Sequence, residues 1–254
     1  MMNFDISQIL DQWDYESGQI VVRRFKGKDG SEKIQLRVDL GVLQMNATGR
    51  PDGKKPFGHE SLLEHYLLQL ERHRAVNATE EGFVLRAEDC AKLQQEGIQY
   101  HHRYICLYQL EDFAGVIRDT ERNLKVFDFA QAHAENEEMA WSLQQFRPQV
   151  VMMRVRAKGA LATESKDFLK AIDLILHALE DLREFYRTHA RQDLLEQSPE
   201  IHSLEAWLQE VQAKRPRTER EKLESELEDA VRVEDYEKAA KVRDALKNLK
   251  PSTP

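Results

Sequence analysis

The segment Arg220 to Lys250, REKLESELEDAVRVEDYEKAAKVRDALKNLK, most constrains what this chain can fold into. It reads as two short helices. Leu223, Leu227, Ala230 and Val231 recur at helical spacing in the first, and Tyr236, Ala239, Ala240, Val242, Arg243, Leu246 and Leu249 in the second. Asp235 is placed to cap the second helix, Glu237 sits near the positive end of its dipole, and Pro251 stops it. A hairpin of about 30 residues is too small to bury a sufficient core alone. Its apolar seam needs cover from its own domain, a second copy of the chain, or another protein.

The run Asp235-Tyr236-Glu237-Lys238-Ala239-Ala240-Lys241-Val242-Arg243-Asp244, with Leu223, Leu227, Ala230 and Leu249 around it, resembles a UVR motif. This is the helical hairpin of bacterial nucleotide-excision repair proteins and of activators of bacterial protein-arginine kinases. The resemblance covers about an eighth of the chain. It implies a protein-interaction element, often a dimer-forming one, that carries no chemistry. Leu223, Leu227, Tyr236, Ala239, Ala240 and Arg243 are the residues it points to for protein contact. The earlier run LRVDLGVLQMNATGRPDG resembles a stretch of bacterial proteins that also end in a UVR motif, which implies one shared architecture and adds no activity.

The 254 residues suffice for one large or two small domains, and 41% hydrophobic with 32% charged content describes a polar-surfaced globular chain rich in helix. The start, MMNFDISQIL, lacks a basic n-region and an apolar run, so no signal peptide is expected. Nor does any stretch of about 18 apolar residues suggest a membrane span. Cys90 and Cys106, if on one helix, stand roughly 24 Å apart, beyond disulfide reach, and read as buried thiols of a reducing compartment. A cytoplasmic location follows, and the Asn-x-Thr triplets at Asn46 and Asn77 then carry no meaning.

The net charge is −8, yet the segment between Gly18 and Gly58 holds nine Lys/Arg against four acids, leaving −13 on the remainder. Such asymmetry marks either an anion-binding face, with Arg23, Arg24, Arg50, Lys54 and Lys55 as its cations, or a basic sheet lying on an acidic helical body.

Within this segment, residues 19–25 read as a strand and Asp29-Gly30 as a turn. Residues 33–45 then alternate, with Ile34, Leu36, Val38, Leu40 and Val42 on a buried face and Gln35, Arg37 and Asp39 on the other. The pattern predicts one β-hairpin, packed on helices or paired across a dimer because a lone hairpin is marginal. The loop NATGRPDGKKPFG is basic and irregular, and it misses a phosphate loop because Gly49 to Gly53 is one residue short and Lys55 replaces the hydroxyl residue. Residues 4–13 suggest a short helix before the sheet.

Helices are expected over 59–74, 87–108, 110–129, 130–146, 150–162, 167–185 and 199–211. The spacing of Leu93, Gly97, Tyr100 and Phe113 resembles a tetratricopeptide repeat, in which a small residue lets antiparallel helices approach. A second copy starts at Asp167-Phe168, offset by 55 residues instead of the usual 34. Gln109, Val116 and Glu121 depart from the repeat pattern, so a non-repeat helical bundle stays open as the other reading.

The expected architecture is mainly α (α+β). An N-terminal β-hairpin and basic loop (1–58) would pack on tetratricopeptide-like antiparallel helical hairpins (59–213), followed by a linker (214–218) and the UVR-like hairpin (219–250). No nucleophile motif, nucleotide loop or metal spacing exists, and the histidines, including the His101-His102 pair, read as surface or capping residues. No enzyme, cofactor or metal is expected. The reading is a non-enzymatic adaptor that binds a protein partner or forms a homodimer. A repair-related nucleic-acid accessory protein is the alternative, although Phe25 alone makes a poor stacking platform. Tyr100, Tyr104 and Phe113 are the body residues to watch, as core or as contact surface.

Overall fold

The computed structural model describes residues 5–249, in two compact units divided between Leu208 and Gln209. The chain is mainly α with a small antiparallel sheet. No helix among the described residues is long and apolar enough to cross a membrane.

In the first unit a short helix α1 (Ser7–Asp11) precedes three strands, β1 (Val21–Lys26), β2 (Glu32–Val38) and β3 (Gly41–Asn46), ordered β1-β2-β3 and antiparallel throughout. Phe4, included in the expected first helix, lies outside the described residues. The single long strand expected over 33–45 is corrected: it breaks at Asp39-Leu40, where Val38 pairs with Gly41, and the hairpin becomes a meander. Leu40 is therefore 90% exposed at a turn tip, and Val42 falls on the face opposite Leu36. The Arg37 guanidinium binds this turn by donating to the carbonyls of Val38, Asp39 and Gly41.

Gln35 and Arg37, expected on a solvent face, are buried. Trp13 and Tyr15, from the segment before the sheet, cover that face, with Arg23 stacked 4.0 Å from the Trp13 ring and Arg37 5.0 Å from Tyr15. Arg23 Nε donates to Gln35 at 2.7 Å, and Gln35 donates to Gln44 at 2.8 Å. On the other face Ile34 and Met45 are buried, and Arg24 forms an ion pair with Asp112 at 2.6 Å. The sheet thus packs on helices of its own chain.

The helices that follow the sheet in sequence are α2 (Leu62–Asn77), α3 (Ala87–Gln109), α4 (Phe113–His133), α5 (Glu137–Gln144), α6 (Arg147–Glu164), α7 (Phe168–Thr188), α8 (Gln192–Gln197) and α9 (Pro199–Lys214), the last crossing the boundary between the units. Three-residue links make α3/α4 and α6/α7 antiparallel hairpins. Helix α4 packs on α6, joining the two. Both links use one chemistry. A residue in the left-handed region (Glu111, φ 57°; Lys166, φ 60°) is followed by an aspartate whose side chain caps the next helix (Asp112 on the Gly115 N–H, Asp167 on the Lys170 N–H). The aspartate N–H closes the preceding helix on Leu107 in one link and Ala162 in the other. Helix α4 runs four residues past its expected end, and α5 is correspondingly shorter than residues 130–146. Leu85, in a short extended segment before α3, bridges Ala134. Helix α8 had no counterpart in the sequence reading.

Leu93, Tyr104, Leu107, Val116, Ala157 and Ile175 are fully enclosed between these helices, and Cys90 and Cys106 are buried free thiols on α3. The helix–helix approach that requires glycine is at Gly159, where an added Cβ would overlap the Trp207 ring of α9. At Gly97, the expected small residue, a Cβ would meet nothing closer than the Asn123 amide at 3.8 Å.

A buried ion cluster fastens the loop after β3 to α3 and α4. Arg103 makes a bidentate pair with Asp119 (2.6 and 2.8 Å), and both are 1% exposed. The same guanidinium donates to the carbonyls of Asn46 (3.0 Å) and Gly49 (2.7 Å), and Arg118 reaches that of Ala47. Glu96 is enclosed beside Arg50 (2.9 Å) and Arg122, and it accepts the Leu62 N–H. The Tyr100 ring lies against both Arg103 and Arg122.

Two substitutions test this packing. Asp119→Ala leaves a buried guanidinium unpaired and should cost about 3–5 kcal/mol in urea unfolding, with only part of it regained when Arg103→Met is added, because that change also strips the Asn46 and Gly49 carbonyls of their donor. Gly159→Ala should lower stability by about 1–3 kcal/mol and shift the Trp207 side-chain NMR signals, whereas Gly97→Ala should not destabilise.

Candidate interaction site

The second unit builds its hairpin from α10 (Glu219–Arg232) and α11 (Tyr236–Asn248). A capping box starts α10: Thr218 Oγ1 accepts the Glu221 N–H at 3.2 Å, and the Glu221 carboxylate accepts the Thr218 N–H at 2.8 Å. Arg215 adds a further hydrogen bond to Glu221. The turn repeats that of the first unit: Glu234 sits at φ 60°, Asp235 caps the Lys238 N–H at 3.0 Å, and the Asp235 N–H bonds the Ala230 carbonyl at 2.9 Å. Lys238 and Glu226 pair across the helices at 2.9 Å.

Small side chains form the seam. Ala230, Ala239 and Val242 are buried, while Leu223, Leu227, Ala240, Leu246 and Leu249 are only half-buried. Arg243 is exposed beside Asp244, and Tyr236 is 68% exposed. Val231, read from the sequence as part of the apolar stripe, and Val233, not singled out there, are also exposed, so three large apolar side chains lie between residues 231 and 236 at the turn. The aromatic residue that follows each capping aspartate separates the three hairpins: Phe113 is 9% exposed, Phe168 half-buried and Tyr236 open.

The five candidate anion-binding residues are occupied to different degrees. Arg23 lies under Trp13 and on Gln35, Arg24 binds Asp112 and Glu32, Arg50 binds Glu96 and Asp52, and Lys55 binds Glu60. The Lys54 ammonium makes no ion pair among the described residues. Trp13 and Tyr15 join Phe25 on the sheet, an aromatic contribution that distance in sequence concealed.

Of the body residues, Tyr100 and Tyr104 are buried on α3, and Phe113 starts α4 edge-on to Tyr108. His101 corrects the surface-or-capping reading of the histidines. Its Nδ1 lies 2.7 Å from the hydroxyl of the fully buried Tyr104, and burial pushes its pKa down to about 4. No group of three or more His, Cys, Asp or Glu among the described residues has the geometry to hold a metal ion.

The UVR motif, described as the UvrB/uvrC motif, matches residues 217–250. It spans the capping box, both helices and the turn. No curated protein and no solved structure matches the chain.

The capping box has a pH signature. The Arg215 hydrogen bond first, and then the Thr218 N–H, hold the Glu221 carboxyl down at about 2 against an ordinary 4.5. A depressed acid stabilises the fold above its unfolded pKa and loses that contribution as pH falls through the folded one. The start of α10 should therefore stay capped from neutral pH to below 4.5 and fray only towards pH 2. In an NMR titration the Thr218 amide should report that low midpoint, and Arg215→Ala should move it back towards 4.5.

Proposed function

We propose that the protein is a non-enzymatic protein–protein interaction adaptor whose terminal hairpin mediates self-association or docking onto a partner. One observation carries this reading. Three hairpins share one turn, and the aromatic that the first unit covers at Phe113 stands open at Tyr236, beside Val231 and Val233. An apolar cluster at the tip of a helical hairpin matches the way interfaces are anchored, with aromatic side chains contributing most of the affinity. The UVR motif, whose association is with protein–protein or DNA-repair interactions, agrees with it. The half-buried leucines Leu223 and Leu227 and the exposed Arg243 would flank the contact.

The repair-related nucleic-acid reading draws on the same motif but needs free cations, and four of its five candidate cations are already engaged within the chain.

Light scattering after size-exclusion chromatography tests the proposal. The full chain should form a dimer, and Tyr236→Ser combined with Val233→Ser should weaken it at least about tenfold with helix content unchanged. A monomer at every concentration would turn attention to a different protein as partner. Salt-steep binding of single-stranded DNA, lost on Lys54→Glu, would overturn the adaptor reading in favour of the nucleic-acid one.

A further inference from the structure

A cavity of about 200 Å³ opens between α3, α4 and α6, lined in part by Tyr104 and by none of the sheet, loop or hairpin residues invoked above for interaction. Ile98, Phe127, Phe146 and Val150 supply apolar wall, and none of its lining residues carries a carboxylate, an ammonium or a guanidinium. Ile98 and Phe146 are 40% and 42% exposed, so the cavity has an apolar mouth. An engineered apolar cavity of about 150 Å³ already admits benzene.

The polar groups at the wall have unspent bonding capacity. Tyr104 is fully buried, and its hydroxyl has one hydrogen-bond partner, His101 Nδ1. The phenol proton must therefore go to Nδ1, which places the ring proton of the neutral imidazole on Nε2. That Nε2–H has no acceptor among the described residues, and neither the carbonyl nor the amino group of the Gln149 side chain is hydrogen-bonded. Gly97 lies in the same wall. Glycine is disfavoured against alanine inside a helix, and no neighbour at Gly97 demands it. What the missing side chain preserves is open volume.

We propose that this cavity binds a small uncharged aromatic molecule of one or two fused rings, bearing one oxygen or nitrogen that hydrogen-bonds to His101 Nε2 and the Gln149 amide. Phenol and 2-naphthol are the simplest members of the class, since the oxygen of each can accept from the Nε2–H and donate to the Gln149 carbonyl. The apolar walls take the ring, and the two polar side chains fix its orientation. A carboxylate would be stripped of water without a cation to meet it, and an ammonium ion without an anion. The site stands independently of the terminal hairpin.

The test is a titration of the full-length protein with phenol and with 2-naphthol. It is followed by NMR of the Ile98 and Val150 methyl groups and the Gln149 side-chain amide, with benzoate as the charged control. Saturable shifts confined to these groups are expected, with benzoate weaker by at least about tenfold. Gln149→Leu should weaken phenol several-fold. Gly97→Leu should abolish binding, because its side chain occupies the space. Should Gly97→Leu fail to fold, Val150→Phe fills the same volume from α6. Absence of saturation with either probe, equal binding of benzoate, or binding undiminished in a folded cavity-filled variant would overturn the proposal.

Discussion

The bidentate pair between Arg103 and Asp119 is the interaction on which the first unit depends. The loop after β3 has carbonyls at Asn46, Ala47 and Gly49 that its own backbone does not satisfy, and the helix-borne Arg103 and Arg118 supply the donors. A guanidinium offers five N–H groups in a rigid fork, so one residue can hold a carboxylate with one edge and two loop carbonyls with another. Burying such charges adds little net stability against an apolar core, but breaking one partner is costly. What the pair supplies is geometry. The loop fits only in the register that brings three carbonyls to two arginines, and the sheet follows the loop.

The second economy is the turn. Three helical hairpins, at 110–112, 165–167 and 233–235, end one helix with a left-handed residue and start the next with a capping aspartate. The left-handed position is never glycine, so each turn carries a small strain that the cap and the backbone bond to the preceding helix offset. A shared turn fixes the entry angle of the second helix. The difference among the hairpins then lies in what surrounds the aromatic after the aspartate, and that difference carries the functional reading.

Much of this was legible. Helix positions follow from apolar periodicity and from Asp235 as a cap, both local signals, while periodicity alone carries the expected helix over 110–129 through the turn at 110–112. The sheet was half legible. Turn residues marked Asp29-Gly30, but the Asp39-Leu40 turn hid inside an apolar alternation, because Leu40 in a turn looks like Leu40 in a strand. The burial of Arg37 could not be read locally, since Tyr15 covers it from 22 positions away. Glu96, Arg103 and Asp119 look like solvated helix residues in isolation, and only the pairing of α3 with α4 brings them together. The cavity is further still from the sequence, being defined by what Gly97 lacks.

The charge asymmetry shows how a linear feature dissolves on folding. A basic segment on an acidic chain reads equally as a binding face or as an internal neutralisation. Here Arg24 meets Asp112 and Arg50 meets Glu96, both partners drawn from the acidic remainder, while Lys55 meets its near neighbour Glu60. Charges committed to one another across elements hold the sheet on the helices and leave less field for steering a polyanion. Under the proposed adaptor role, recognition falls to surfaces that folding leaves incomplete, and the open turn of the last hairpin is one. It is apolar at Val231, Val233 and Tyr236, flanked by charged side chains, and carried on helices whose buried seam is mostly alanine and valine. So thin a seam gives the hairpin little core of its own, so contact with a partner would supply the burial that its length cannot.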